Sequence, residues 1–398
     1  MKSIVFIETV RFGTAKDALE ASVELGYTPI LLTAKQSIAQ EVNKWFTHIF
    51  VYCMELSEDA IREVLDELLG EGRELLAVIS FIDPYVSLAA RLSNEYCQTT
   101  LSADSMCCME NKRQTRYALE SLGVNPVYST YIDEPLISVT LPAILKSSYS
   151  KGSRDVYLIQ SEEELSTARY KLTSRQKDVA ILLEEYIEGH QFIVEVIVHE
   201  GLPQIVAVIA QDITNLEKFI VTGYAIGNVL PEEEWNRLQK LLEQIVDLLR
   251  VDCASFHVEL RLTSSGWKVI ELNPRMAGYT MNQMIFESYN INLAKEIIRL
   301  YIGEAPRLEK TKECAVYSYC MTTELCGFLE GVSGIMEAAA QPGVLAVQIH
   351  AKVGELIGPA MSMGQRYGYV MASGDNVEQA RKSAMEAARL ITFYIEEV

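Results

Sequence analysis

The apolar positions of the first hundred residues fall into short runs, separated by stretches with helical spacing. Ile4–Ile7, Thr28–Leu32, Ile49–Tyr52 and Leu75–Ser80 have the length of strands, and Thr14–Leu25, Glu58–Leu69 and Tyr85–Tyr96 repeat apolar residues every three or four positions. Gly26 stops the first of these helices, Ser57 is placed to cap the second, and Pro84 opens the third. Strand–helix alternation of this kind predicts a parallel sheet with helices on its faces. No G-x-G-x-x-G follows the first strand, which argues against a dinucleotide site there.

Beyond residues 97–110 the pattern changes. "NKRQTR" (111–116) opens a helix ending at Gly123, "LPAILK" (141–146) and "DVAILLEEYI" (178–187) read as strands, and "SSYSKGSRDV" (147–156) is polar and loop-like. Ser161 and Glu164 form a capping box for a further helix. "FIVEVIV" and "PQIVAVIA" are strands joined by a turn at Glu200-Gly201, and Glu232–Arg250 is an amphipathic helix. Residues from about 311 hold several short strands and a closing helix, Val377–Glu396.

Composition narrows the class. The chain has 398 residues, 49% of them hydrophobic, and a net charge of −19. Such a length suits two or three domains, and such an excess of acid repels nucleic-acid phosphates and anionic membranes. The eight cysteines show no C-x-x-C pair and read as reduced thiols. The first apolar run is too short for a signal peptide, and no window approaches the ~20 apolar residues of a membrane span. A cytoplasmic protein is expected.

The chemistry begins at "FHVELRLTSSGWKVIELNPRMAG" (256–278). The stretch predicts a β-hairpin with a three-residue loop, Ser264-Ser265-Gly266. That register pairs Thr263 with Trp267, Glu259 with Glu271, and His257 with Asn273. Opposed carboxylates on a half-buried sheet repel each other and are costly to desolvate, so a cation belongs between them. Two carboxylates and an amide suit magnesium. The alternative is an ordinary hairpin with Glu271 facing water.

With these residues, "LLEEYIEG" (182–189) after a Lys-bearing strand, and "NPR" (273–275) after an acidic strand, the chain resembles the ATP-grasp carboxylate–amine ligases, and within them the bacterial L-amino acid ligases. The resemblance spans most of the chain. It implies an α/β fold, α+β in parts, with an N-terminal parallel pre-ATP-grasp domain (1–105), a small lid domain (106–187), and a large domain (188–398) whose C-terminal antiparallel subdomain starts near 311. ATP and Mg2+, or Mn2+ in its place, are the implied cofactors. The implied partners are small-molecule amino acids, with a homodimer as the assembly often seen in the family.

Residue by residue, the resemblance puts Lys112 and Lys146 on the ATP phosphates. It makes 147–153 the phosphate lid, where only Gly152 is a glycine and Ser147, Ser148 and Ser153 would supply hydroxyls. Glu184 and the backbones of Tyr186 and Ile187 would read adenine, with Gln191, or else His190, on the ribose. Glu259, Glu271 and Asn273 would hold the metal, and Arg275, with Lys146, would stabilise the transferring phosphoryl group. His257 reads either as a ligand or as a strand residue hydrogen-bonded beside Asn273. At the substrate end, Tyr279 and Met281 are candidates for limiting side-chain size, and Arg366 for meeting a carboxylate.

The implied reaction activates an amino acid carboxylate as an acyl phosphate and joins it to the amine of a second amino acid. Competing readings are a ligase using bicarbonate, biotin or purine-type substrates, a kinase stopping at the acyl phosphate, and a nucleotide-binding protein without turnover.

Overall fold

The computed structural model describes residues 2–46, 49–126, 129–131, 140–147, 155–175, 180–214 and 219–398. Four parallel strands come first: β1 (Lys2–Ile7), β2 (Thr28–Thr33), β3 (Phe50–Cys53) and β4 (Glu74–Ile79), in the order β3-β2-β1-β4. Helices α1 (Thr14–Glu24), α2 (Gln36–Trp45), α3 (Glu58–Gly70) and α4 (Val86–Tyr96) connect and cover them. Both faces of this sheet are covered, which is why β1 and β2 read as unbroken apolar runs. Ser57 caps α3 through Ala60 N, as its position predicts. The strand order reverses direction between β1 and β4, and in open parallel sheets ligands settle outside the carboxyl ends at such a switch point.

Helices α5 (Ala103–Glu110) and α6 (Lys112–Ala118) then pack against each other, α5 also on α4 and α6 on a later strand. A four-stranded antiparallel sheet follows: β5 (Ser129–Tyr131), β6 (Ala143–Ser147), β7 (Val156–Ile159) and β8 (Ile181–Glu185), in the order β5-β8-β6-β7, with α7 (Glu162–Arg175) packed on β6 and β7. The predicted capping box is present at α7: Glu164 N donates to Ser161 Oγ, and the Glu164 carboxylate reaches back to Gln160 N.

The longest strands follow: β9 (His190–His199), β10 (Leu202–Thr214), β11 (Ile220–Ile226), helix α8 (Glu232–Leu249), β12 (Ala254–Thr263) and β13 (Gly266–Asn273). After α9 (Met281–Tyr289) and α10 (Leu293–Tyr301) come β14 (Ala315–Met321), β15 (Gly327–Ser333), α11 (Ile335–Ala339), β16 (Val344–Ile349), β17 (Leu356–Ile357), β18 (Gly368–Gly374), α12 (Val377–Ala388) and β19 (Thr392–Glu397). Eight of these strands form one antiparallel sheet, β13-β12-β9-β10-β11-β14-β18-β16, and β17-β15-β19 form a small one. The apolar stripe of α8, with Leu238, Leu242 and Ile245 fully buried, joins the core over the large sheet.

Two expectations are corrected. The closing helix ends at Ala388 rather than Glu396, and "TFYIEE" is a strand. Its β-branched and aromatic residues alternate in exposure and pair with β15, Leu329 opposite Ile395. The helix cannot run on because the chain at Leu390 turns against Gly334, where a Cβ would lie 1.8 Å from the Leu390 carbonyl oxygen. The β12–β13 hairpin also differs. Its loop is two residues, Ser264 and Ser265, with Thr263 opposite Gly266.

The eight cysteines carry no disulfide. Among the described residues no helix is long and apolar enough to cross a membrane.

Candidate active site

The hairpin carries its own compensation. A two-residue loop alone would set Glu259 opposite Ile270. A bulge at Ile270 shifts the ladder by one, so Glu259 faces Glu271 and His257 faces Asn273, as predicted. Arg116 holds the bulge in place, donating to the carbonyls of Ile270 at 2.7 Å and Val269 at 3.3 Å. Lys268 Nζ and Val269 N bind the carbonyls of Gly123 and Val124, which covers this edge of the large sheet.

The two glutamates have different environments. Lys112 Nζ lies 2.8 Å from Glu271 Oε1, and its charge holds Glu271 below the usual carboxylate range against the opposing effect of burial. Glu259 is pushed up to about 7 by burial and by the Glu271 charge. Among the described residues its one hydrogen-bond partner is the Gln191 amide, at 3.4 Å. Gln191 in turn accepts from Arg261 Nε at 3.1 Å, and Arg261 donates to the Ile187 carbonyl beneath the Tyr186 ring.

Glu184 sits in a closed ion triad. Arg116 Nε meets one oxygen at 2.6 Å and Lys146 Nζ meets the other. Burial works against ionisation, but the two cations outweigh it and hold Glu184 down to about 2. Arg275 reaches across to the first sheet, where its Nε and one terminal nitrogen lie 3.1 and 2.7 Å from Asp83 Oδ2 in the loop after β4. Its backbone is pinned from below. His257 Nδ1 donates to the Arg275 carbonyl at 2.7 Å, and Glu195 accepts from Ala277 N at 2.8 Å. Burial, with the Arg275 charge, pushes His257 down to about 4, and burial pushes Glu195 up to about 8, so both are neutral near pH 7.

A cavity of about 600 Å³ lies between β6 and β8 on one side and the large sheet on the other. Of the residues singled out from sequence, Lys112, Lys146, Glu184, Tyr186, Ile187, Gln191, Glu259, Glu271, Asn273 and Arg275 all line it. Ser148 and Ser153 lie outside the described residues, and His190 is not in the lining. The expected nucleotide contacts are already engaged within the protein: Lys112 with Glu271, Lys146 with Glu184, the Tyr186 N–H with the Pro142 carbonyl, the Ile187 carbonyl with Arg261, and the Gln191 amide with Glu259 and Arg261.

A second cavity, of about 750 Å³, adjoins the first through Asp83, Arg275, Tyr279 and Arg366. Arg366 is half-buried there, with Tyr224 Oη at 2.8 Å, the Met363 carbonyl at 3.0 Å and the Tyr279 ring at 4.0 Å. Among the described residues no carboxylate pairs with it.

Residues 139–283 match the ATP-grasp domain family, and residues 322–396 match L-amino acid ligase C-terminal domain 2. The two together cover more than half of the chain. This chain belongs to the ATP-grasp ligases. Like that family, it is an ATP-binding enzyme. The L-amino acid ligase of Bacillus licheniformis has the same fold, with a TM-score of 0.84 at 19% identity over 100% of this chain and 99% of that one. An uncharacterized protein of Sinorhizobium fredii is 26% identical over 96% of this chain and 80% of its own. Mouse carnosine synthase 1 is 24% identical over 73% of this chain, which spans 38% of that protein.

Sequence reasoning missed four residues that build this ATP-grasp site. Asp83 is brought to Arg275 from 192 positions away, and nothing local announces it. Arg116 stands one helical turn after Lys112, so the i, i+4 spacing in "NKRQTR" did put both on one face. Arg261 and Glu195 carried the same signal as Glu271, a charge inside an apolar strand.

Proposed function

We propose that the protein is an ATP- and magnesium-dependent ligase that joins the carboxylate of one amino acid to the amine of a second. The observation that carries this reading is Arg366. It is a half-buried cation without a carboxylate partner among the described residues, and it lies where the cavity of the opposed glutamates opens into the neighbouring one. A charge drawn part-way out of water is retained at such a cost when a partner arrives to meet it, and a substrate carboxylate is that partner.

In this reading the base of ATP lies in the apolar slot formed by Ile144, Val156, Tyr186, Ile213 and Phe219. Lys112, Lys146 and Arg275 face the phosphates. The metal set fits the residues present. Glu259 and Glu271 are hard oxygen donors in direct opposition, and burial with the Glu271 charge raises Glu259 to about 7, so that a cation between them would favour its ionised form. Glu259, Glu271 and Asn273 would hold a divalent cation, whose charge offsets that of the phosphates.

The chain's own residues then set the geometry. An oxygen of the amino acid carboxylate attacks the γ-phosphorus, the bond to the bridging oxygen breaks, and ADP leaves. Arg275 remains charged beside Asp83 and stabilises the phosphoryl oxygens. The amine nitrogen of the second amino acid attacks the acyl carbon, the bond to the phosphate oxygen breaks, and the nitrogen gives up a proton. Phosphate and an amide are the products.

The test is ADP release with Mg-ATP and paired L-amino acids, with products weighed by mass spectrometry. A product one water lighter than the sum of two amino acids supports the reading. ADP release without such a product, across amino acid pairs that stimulate it, contradicts it.

A further inference from the structure

Behind the second cavity lies a third, of about 550 Å³, reached past α1 and α9. The two share Arg11, Phe12, Tyr279 and His350 in their linings, so these side chains, three of them rings, form the partition between them. Phe12 comes from the loop after β1, Tyr279 from the segment before α9, and His350 from the end of β16. Three distant parts of the chain therefore meet in one wall.

The wall is built by stacking. His350 lies 4.5 Å from Phe12, 5.8 Å from Tyr279 and 5.8 Å from Tyr369, measured between ring centroids. Both ring nitrogens of His350 are buried without a hydrogen-bond partner among the described residues. A buried polar group left unpaired carries a penalty, so the imidazole is held here by its neighbours' faces and not by any bond of its own. Phe12 is 41% exposed and anchors nothing else. Its position is set by Gly13, whose positive φ lets the loop lie directly on Tyr279. A Cβ there would meet the Tyr279 carbonyl oxygen at 2.7 Å and nitrogen at 2.9 Å. The space behind the wall offers the faces of Trp45, Phe286 and Tyr369 among charged and polar side chains of α1 and α9, such as Asp17 and Gln283.

We infer that Phe12 and His350 set the length of the amino acid side chain that this enzyme accepts, by closing the substrate cavity off from the space behind it, where Trp45 and Phe286 stand among polar side chains. The inference rests on the ligase reading above. Removing either ring joins the two cavities and admits a bulky aromatic side chain.

The experiment measures kcat/KM, from ADP release, for tryptophan and for alanine, each offered with Mg-ATP and the partner amino acid that the wild type turns over best. The proteins are the wild type, Phe12→Ala, His350→Ala and His350→Phe. The tryptophan-to-alanine ratio is expected to rise at least about tenfold in both alanine variants. It should stay within about threefold of wild type in His350→Phe, which keeps the wall and loses only the nitrogens. Thermal unfolding accompanies each variant. If His350→Ala does not fold, Phe12→Ala decides, since that side chain is partly exposed already. An unchanged ratio in the folded alanine variants of an active enzyme overturns the wall and leaves the ligase reading standing. A rise in His350→Phe as large as in His350→Ala also overturns it. A wild type that releases ADP with no amino acid overturns the ligase reading, and the wall with it.

Discussion

The two ends of the active-site cleft are built on opposite principles. At the phosphate end, almost every charge already faces another: Lys112 meets Glu271, Arg116 and Lys146 close on Glu184, and Arg275 meets Asp83. At the other end one half-buried cation, Arg366, stands among tyrosines and a thiol with no carboxylate partner among the described residues. The first arrangement holds cations in place before phosphates arrive, which suits a reaction whose catalysis is positioning and charge stabilisation. The second leaves a charge for the ligand to complete and uses aromatic surfaces to choose its shape.

Breaking the phosphate end should have the largest effect. Glu271→Gln removes one of the two carboxylates proposed to hold the metal, and the partner of Lys112. Steady-state ADP release should fall by about a thousandfold in kcat/KM, the several kcal/mol that a positioned cation supplies, with the fold kept by circular dichroism. A loss under about tenfold would mean that the opposed pair is not the metal site.

Arg116→Ala removes the cation that joins Glu184 to the bulge carbonyls. It should raise the KM for ATP about tenfold or more and destabilise the protein by about 3–5 kcal/mol, because a buried carboxylate loses half of its compensation. Urea unfolding and ATP titration check the two halves of that statement separately.

At the other end, Arg366→Met keeps length and apolar bulk while deleting the charge. The KM for the carboxylate-bearing amino acid should rise about 10- to 100-fold, as for losing a hydrogen bond to a charged group, while the KM for ATP stays within twofold. An equal rise in both would place Arg366 with the phosphates and erase the contrast between the ends.

A further effect, on stability and not on catalysis, is a pH dependence beneath Arg275. Burial raises Glu195 from the ordinary carboxylate value to about 8. A carboxyl group whose folded value is raised favours folding while protonated, and that contribution is lost as pH climbs from the unfolded value through the folded one. Wild-type stability relative to Glu195→Gln should therefore fall between pH 5 and pH 8, by at most about 1.4 kcal/mol per pH unit. Urea unfolding of both proteins at the two pH values measures it, and a parallel pH dependence would rule it out.

The phosphate end was largely legible in the sequence because its residues lie on contiguous strands. Glu259 and Glu271 could be opposed by counting along one hairpin, and Lys146 and Glu184 sit on neighbouring antiparallel strands with short, recognisable patterns. Even there the register rested on two compensating differences, a loop one residue shorter and a bulge one residue longer. A bulge is invisible to alternation when an isoleucine fills it, and Arg116, 154 positions from Ile270 in the chain, does not name itself as its anchor. The substrate end was legible only as a short candidate set, Tyr279, Met281 and Arg366. Phe12, Asp83 and His350 reach it from loops whose meeting is decided by the packing of separate sheets. The misread closing helix has the same origin: Ala-rich spacing favours a helix up to Ala388, and the bend at Gly334 that stops it lies more than fifty positions earlier.

The central claim is that a carboxylate is activated by phosphorylation before an amine attacks it, and isotope transfer tests it most directly. The donor amino acid is supplied with both carboxylate oxygens as oxygen-18, together with Mg-ATP and the amine partner. The account predicts that each inorganic phosphate released carries one oxygen-18 atom and that the amide product keeps the other. Phosphate free of label, formed alongside the amide, would contradict it.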